Sequence, residues 1–221
     1  SNPTIIVMKR KFLEQKSVLN SKIAVTQPAL LTSEPKIRNQ NKILGSGILI
    51  TFEGGDGSGK STQFNRLSKR LELLGLPILA CREPGGTKIG ESIRRLVKSE
   101  KDIAPLSETF LFEAARAHLI ETKVKSSLGK NKIVILDRYI DSTIAYQGYG
   151  HRTDIEQIIT LNRMASGGIK PDLTILLDID PKIGLQRIKS AHADNQKTNE
   201  EYQNSDDSYE QEKFERMPIE F

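Results

Sequence analysis

Gly54, Gly59, Lys60 and Ser61 stand in the spacing GxxxxGK[ST], inside the run GGDGSGKST over residues 54–62. A polyphosphate needs many N–H donors turned into one concavity. Glycines at 54, 55, 57 and 59, with Asp56 and Ser58 between them, let a backbone curl that tightly. Lys60 adds a mobile cation for the outer phosphates, and the Ser61 hydroxyl can ligate magnesium. Thr62 follows inside a helical pattern, whose N-terminus places about half a positive charge at the same point. The motif needs a strand before it and a helix after it. Ile48–Phe52 is an apolar, β-branched run of strand length, and Phe64, Leu67, Leu71 and Leu74 recur at helical spacing up to Gly75.

Further along, the chain alternates strand and helix. Pro77–Cys81 reads as a buried strand ending in the turn Arg82-Glu83-Pro84-Gly85-Gly86, and a short helix follows over Ile89–Val97. A long helix is expected from Ser107 to Gly129. Ile133–Leu136 is a third strand and delivers Asp137-Arg138-Tyr139 at its carboxyl end, followed by a helical segment carrying Ser142, Tyr146 and Gln147. Ile155–Met164 is helical, Leu173–Leu177 is a fourth strand ending in Asp178 and Asp180, and Pro181 opens a helix containing Gly184 and Arg187. Strands alternating with helices imply a parallel sheet whose ligands sit at the strands' carboxyl ends. The glycine loop, the Arg82–Gly86 turn and Asp137-Arg138 all fall there, with Asp178 and Asp180 a weaker fourth cluster.

The net charge of +5 does not mark a nucleic-acid surface. Residues 1–46 hold eight lysines and arginines against two glutamates, so the remainder is slightly acidic. That leader is poor in periodicity and rich in Lys, Ser, Asn and Gln. It reads as a flexible basic extension, weakly similar to an organelle transit peptide. No run reaches the length of a membrane span. The single cysteine, Cys81, excludes an internal disulfide and fits a reducing, cytoplasmic compartment. Residues 47–221 form the second unit. Within it, about 189–208 read as a polar mobile insertion, and Tyr209–Phe221 as a partial helix interrupted by Pro218.

A phosphate loop alone permits hydrolysis, switching or transfer. Transfer needs a second site that holds an acceptor and screens two phosphate groups brought together. Arg94, Arg116, Arg138 and Arg187 are the candidates, although on spacing alone Arg94 and Arg116 read equally well as surface charges. Phe112 lies one helical turn before Arg116, so both can face one direction. An aromatic face beside a planar donor suits a nucleobase, and a core position suits Phe112 equally.

The sequence from Gly47 to about Arg187 resembles the bacterial thymidylate kinases. The resemblance rests on FEGGDGSGKST, REPGGT followed by Arg94, LFEAAR, DRYIDSTIAYQG and PDLTILLDID, in that order. It implies an α/β fold of the P-loop nucleoside monophosphate kinase type, with a parallel sheet flanked by helices. It also implies transfer of the ATP γ-phosphoryl to dTMP with magnesium, and a homodimer. By position, residues Gly54–Thr62 hold ATP, with Lys60 on its phosphates. Ser61 and Asp137 serve the metal, and Asp56 lies near acceptor and metal. Arg94 and Arg138 hold the dTMP phosphate, with Arg138 reaching toward the transferred group, and Arg187 belongs to the lid. Glu83 and Pro84 belong to the acceptor side. Phe112 stacks on thymine, Arg116 bonds its edge, and Ser142, Thr143 and Gln147 are further base contacts. Tyr146 packs on the sugar and disfavours a 2′-hydroxyl.

The chain departs from the family pattern twice. After Arg187 the lid offers Lys189, His192 and Lys197, and no arginine until Arg216. The family's last helix is only begun by KFERMPIEF, so the C-terminal helix and edge strand are expected to be missing. The alternatives are a kinase for another nucleoside monophosphate and a non-catalytic ATP-binding protein. ATP and dTMP are the expected small-molecule partners, with no nucleic acid or membrane.

Overall fold

In the computed structural model, residues 3–9, 47–100 and 102–197 are described. The elements run β1 (Thr4–Lys9), β2 (Ile48–Gly54), α1 (Lys60–Leu73), β3 (Ile78–Arg82), α2 (Lys88–Ser99) and α3 (Pro105–Leu119). A π-helical turn (Ile120–Val124) then leads to α4 (Lys125–Gly129) and β4 (Ile133–Asp137). After these come α5 (Ile140–Thr143), a π-helical segment (Ile144–Gly150), α6 (Ile155–Ala165), β5 (Leu173–Asp178) and α7 (Pro181–Lys197).

β4 shows why the sheet has helices on both faces. All five of its residues are buried. Its side chains alternate, with Val134 and Leu136 packing with Leu49, Leu119, Ile120 and Tyr139 on one face. Ile133 and Ile135 pack with Phe52 and Leu177 on the other face, against Phe64, Leu67 and Leu71 of α1. Phe52 and Phe64 meet edge to face, with ring centroids 6.2 Å apart.

The sheet order is β1-β5-β2-β4-β3. β2 pairs in parallel with both β4 and β5, and β3 pairs in parallel with β4. β2 is therefore central, and the crevice at its carboxyl end is where neighbouring connections diverge. Side chains cap the helices that matter here. The Thr87 hydroxyl accepts from Gly90 N at 2.9 Å to start α2, and the Asp180 carboxylate accepts from Lys182 N at 2.8 Å to start α7.

Three expectations change. Thr4–Lys9, read as part of a flexible extension, forms β1, antiparallel to β5 with Ile6 opposite Leu176. TIIV is a β-branched run, and the outer edge of β5 offers it an unpaired row of backbone groups. The edge of the sheet is thus held by a strand from the beginning of the chain, and this one pairing is not parallel. Second, the long helix starts at Pro105 rather than Ser107, with proline at its first position, and a π turn at Ile120–Val124 interrupts it. Third, α7 continues through Lys197, so residues 190–197 of the supposed polar loop are helical, as the helix-forming Ala191, Ala193, Gln196 and Lys197 allow. Residues 10–46 of the extension, the rest of the insertion and Tyr209–Phe221 lie outside the described residues.

Candidate active site

The glycine loop joins β2 to α1. Gly57 and Gly59 take φ of 70° and 90°, the left-handed region that a side chain resists. Gly59 is the N-cap of α1 and gives no side-chain cap, so the helix's first N–H groups face the loop. Lys60 is buried, donates from Nζ to Gly55 O at 2.8 Å and lies 3.5 Å from Asp56 Oδ1. Behind the loop, α7 approaches backbone to backbone. A Cβ on Gly57 would meet Gly184 O at 2.2 Å, and one on Gly184 would meet Asp56 O at 2.4 Å. Arg187, next along α7, donates Nη1 to Gly57 O at 3.1 Å. The helix α7 and the phosphate loop are one packed unit.

Asp137 ends β4 beside this loop. Ser61 Oγ donates to Asp137 Oδ2 at 2.9 Å, and Asp137 Oδ1 is buried with no hydrogen-bond partner among the described residues. Hydroxyl and carboxylate oxygens in this arrangement are the donor set of a hard cation. Arg138 follows at φ 70°, strained for a residue with a side chain. Its guanidinium donates from Nη2 to Asp56 Oδ1 and from Nη1 to Ser142 Oγ at 3.3 Å, and lies 5.1 Å from the centre of the Tyr146 ring. The Tyr146 hydroxyl donates to the other Asp56 oxygen at 3.4 Å. The π-helical turn that carries Tyr146 places it over this group.

These residues open on a cavity of ≈ 270 Å³. Its wall comprises Asp56, Gly57 and Gly59–Thr62 of the loop, Arg82 and Glu83 from the end of β3, Arg94 of α2, Asp137 and Arg138, and Arg187 and Ile188 of α7. Five cations thus face three carboxylates, which suits a strongly anionic guest. Pro84 supports the wall, its carbonyl accepting from Arg94 Nη1 at 3.4 Å. Asp178 and Asp180 lie outside the wall; Asp180 caps α7 instead.

Arg116 behaves otherwise than its sequence pattern suggests. It is 2% exposed, and all five of its N–H groups have protein acceptors. Nε donates to Glu83 Oε2 at 2.7 Å, Nη1 to both Glu113 oxygens at 3.0 Å and to Asn162 Oδ1, and Nη2 to Tyr139 O at 3.1 Å and Thr143 Oγ1 at 2.8 Å. A base edge would have to share a hydrogen already committed. Burial by itself would lower the Arg116 pKa, but the Glu83 and Glu113 carboxylates outweigh it and hold the guanidinium charged. Burial in turn pushes both carboxyls up, with Arg116 drawing them back. Glu83 Oε1 is left buried and without a partner among the described residues, on a side chain that lines the cavity. Thr143 is therefore an acceptor for Arg116, and Gln147, buried, donates Nε2 to Glu108 at 2.8 Å. Phe112 is half-buried on α3. None of Phe112, Arg116, Ser142, Thr143, Tyr146 or Gln147 lines this cavity; Tyr146 and Ser142 join it through Arg138 and Asp56.

Sequence reasoning missed Glu53 and Ile188, and it placed Arg82 in a strand-end cluster without giving it a role. The signal for Glu53 was available: an acid in the otherwise apolar run ILITFEG, directly before the loop. It is 4% exposed and accepts from Tyr139 N at 2.8 Å and Ser142 Oγ at 2.6 Å. Burial pushes its carboxyl up to about 7 from 4.5, against the pull of the Ser142 bond. The folded protein therefore holds this proton more tightly than the unfolded chain. The associated stabilisation is complete below pH 4.5 and is lost as the pH rises through about 7. Thermal stability should fall by roughly 3 kcal/mol across that window from this group. Melting curves of the wild type and Glu53→Gln over the same range check it: the variant should lose that part of the slope, and parallel profiles would refute the assignment.

The thymidylate kinase family model matches residues 52–218, well over half of the chain. The thymidylate kinase of Dehalococcoides mccartyi (strain CBDB1) is 51% identical over 142 residues, covering 63% of this chain and 68% of that protein. That of Roseiflexus castenholzii (strain DSM 13941 / HLO8) is 46% identical over 147 residues, covering 66% and 64% respectively. The crystal structure of thymidylate kinase from Ehrlichia chaffeensis superposes with a TM-score of 0.58 at 41% identity, over 69% of this chain and 86% of that one. A phosphate loop at the centre of a mostly parallel sheet, a cation-rich cavity at the strand ends and these matches agree: the chain belongs to the thymidylate kinase family.

Proposed function

We propose the following division of labour for the family's reaction, in which the γ-phosphoryl group of ATP passes to dTMP on the route to dTTP. The loop Gly54–Thr62 and the α1 N-terminus cradle the ATP phosphates, with Lys60 leaving Gly55 O to reach them. Arg94 and Arg138 hold the dTMP phosphate, and Arg138 and Arg187 face the transferred group from the cavity wall. The observation that carries this reading is the cavity wall itself, where Lys60, Arg94, Arg138 and Arg187 converge on the carboxyl ends of β2, β3 and β4. Charge spreads over the phosphoryl oxygens in the transition state, so fixed cations on several sides lower its energy.

Ser61 and Asp137 would hold magnesium, with the unpartnered Asp137 Oδ1 as a ligand directly or through water. When bound, the ion neutralises charge on the β- and γ-oxygens. Asp56 orients Arg138 and Tyr146 from inside the loop. Phe112 stacks on the base, Tyr146 stands against the sugar, and Ser142, Thr143 and Gln147 complete the acceptor side with Glu83 and Pro84. Arg116 serves that side mainly by holding Glu83 and Thr143 in place.

A homodimer accounts for a broad apolar surface. Ile89 and Leu96 on α2, Leu106 and Phe110 on α3, and Ile159 on α6 are each between 43% and 51% exposed. The helices that carry them pack in sequence, α2 on α3 and α3 on α6. A cytoplasmic setting fits the single buried thiol, Cys81. Among the described residues, no helix is long and apolar enough to cross a membrane.

An ADP-release assay with ATP and magnesium tests the reading, adding dTMP, dUMP, UMP, CMP, AMP and GMP one at a time. Turnover with dTMP well above the others is expected; preference for another monophosphate would overturn the acceptor assignment. Phe112→Ala should raise the KM for dTMP by about tenfold with little change in kcat, since stacking on a base is worth ~1–3 kcal/mol. An unchanged KM would make Phe112 a packing residue.

A further inference from the structure

We infer that Glu53 is a positioning residue for Arg138, fixing both its backbone and its guanidinium through two separate hydrogen bonds. The ladder between β2 and β4 ends at the pair Phe52–Asp137. One residue on, Arg138 N donates to Phe52 O at 2.9 Å, and the next amide, Tyr139 N, has a side chain as its acceptor, Glu53 Oε1 at 2.8 Å. The carboxylate thus stands in for the backbone carbonyl that the strand no longer supplies. The two amides flanking the strained Arg138 backbone, at φ 70°, are both tied to β2.

The second oxygen sets the side chain. With Glu53 ionised, Oε2 takes the hydrogen of the Ser142 hydroxyl at 2.6 Å, which turns a Ser142 lone pair toward Arg138 Nη1 at 3.3 Å. Two acceptor atoms are needed, one for each donor. Glutamine has one, so its amide NH₂ must face either Tyr139 N–H or the Ser142 hydroxyl. In the second case the hydroxyl hydrogen turns from Glu53 toward Arg138, and donor meets donor. Because Glu53 belongs to the strand that carries the phosphate loop, it references the acceptor-side arginine to the donor-side loop within one rigid element. Aspartate would not reach both donors from the same Cα.

This inference rests on the role given to Arg138 above, and a double-mutant cycle separates the two. Single-turnover formation of dTDP, with enzyme in excess over ATP and dTMP, reads rates far below those of steady-state assays. Four proteins are compared: the wild type, Glu53→Gln, Arg138→Ala and the double variant. Glu53→Gln should lower the rate by about tenfold or more with the ATP KM nearly unchanged, and should change the rate less than about twofold once Arg138 is alanine. Equal loss in both backgrounds would show that Glu53 acts independently of Arg138 and would overturn the inference. A fully active Arg138→Ala would instead overturn the role of Arg138. Ser142→Ala cuts the same chain at its next link and should repeat the non-additivity, which keeps the test decisive should Glu53→Gln fold poorly; additivity there overturns the inference equally.

Discussion

Replacing Arg138 by alanine should lower kcat by about a thousandfold or more while leaving ATP affinity nearly intact, the loss expected when an arginine that stabilises phosphoryl transfer is removed. The phosphate loop and the two helical turns that follow Arg138 fix its guanidinium. Asp56 of the phosphate loop accepts from Nη2, Ser142 of α5 accepts from Nη1, and the Tyr146 ring lies beneath at 5.1 Å. A planar fork held on its edges and one face loses little freedom when charge develops in front of it. ATP binding, by contrast, draws on the loop amides, the α1 N-terminus and Lys60; Arg138 meets that loop at Asp56 and Gly54 O, while Lys60 is also anchored by Gly55 O at 2.8 Å. Arg138→Lys should recover only a small part of the loss, because an ammonium cannot meet Asp56 and Ser142 from one plane. Single-turnover rates with a parallel titration of ATP binding check this; loss of ATP binding with an intact rate at saturation would place Arg138 on the donor side.

The second large effect is on stability. Arg116→Ala should destabilise the fold by about 3–5 kcal/mol, the usual consequence of removing one partner from a buried ion pair. In a domain of this size that lowers Tm by about 10 °C. Glu83 and Glu113 would be left buried without the charge that keeps them ionised, and Asn162, Thr143 and Tyr139 O would each lose a donor. The pH dependence has a definite sign. Uncompensated burial raises the two carboxyls further, so the variant suffers least in mild acid, where they carry protons, and most above neutrality. Thermal melts in mild acid and mild base measure it. An unchanged Tm with a raised KM for dTMP would return Arg116 to the role of base reader that its spacing after Phe112 suggested.

That contrast shows where the sequence is informative. The strands, the phosphate loop and the strand-end clusters were legible because each is a local pattern: an apolar run, a glycine spacing, a charged turn after a buried strand. Lys60, Ser61, Asp137 and Arg138 were found on those grounds, and the fold brings them to one cavity. The burial of Arg116 was not legible because its environment is assembled from Glu83, Tyr139, Thr143 and Asn162, which no spacing relates. Glu53 was passed over because a single acid in an apolar strand carries no periodic signal, although its burial is what gives it a task. The π-helical turns at Ile120–Val124 and Ile144–Gly150 were read as ordinary helix, since one extra residue per turn leaves a 3.6-residue pattern nearly unchanged over so short a span. β1 escaped notice because an edge strand needs neither alternation nor burial on both faces; Ile5 and Val7 stay 36% and 40% exposed.

The pairing of β1 with β5 also orders events in time. Thr4 lies opposite Asp178, so this rung closes across almost the whole described chain, a longer reach than any of the parallel pairs, such as Ile50 opposite Leu173 or Ile78 opposite Ile133. Closure entropy grows only with the logarithm of loop length, so the long reach costs little at equilibrium, but contacts so distant in sequence form late. The edge is then the last part of the sheet to zip and the first to fray, and amide exchange along β1 should outpace exchange along the fully buried β4. Fraying there leaves the β5-β2-β4-β3 ladder closed. The chemistry at its carboxyl ends is insulated from the comings and goings of the N-terminal strand.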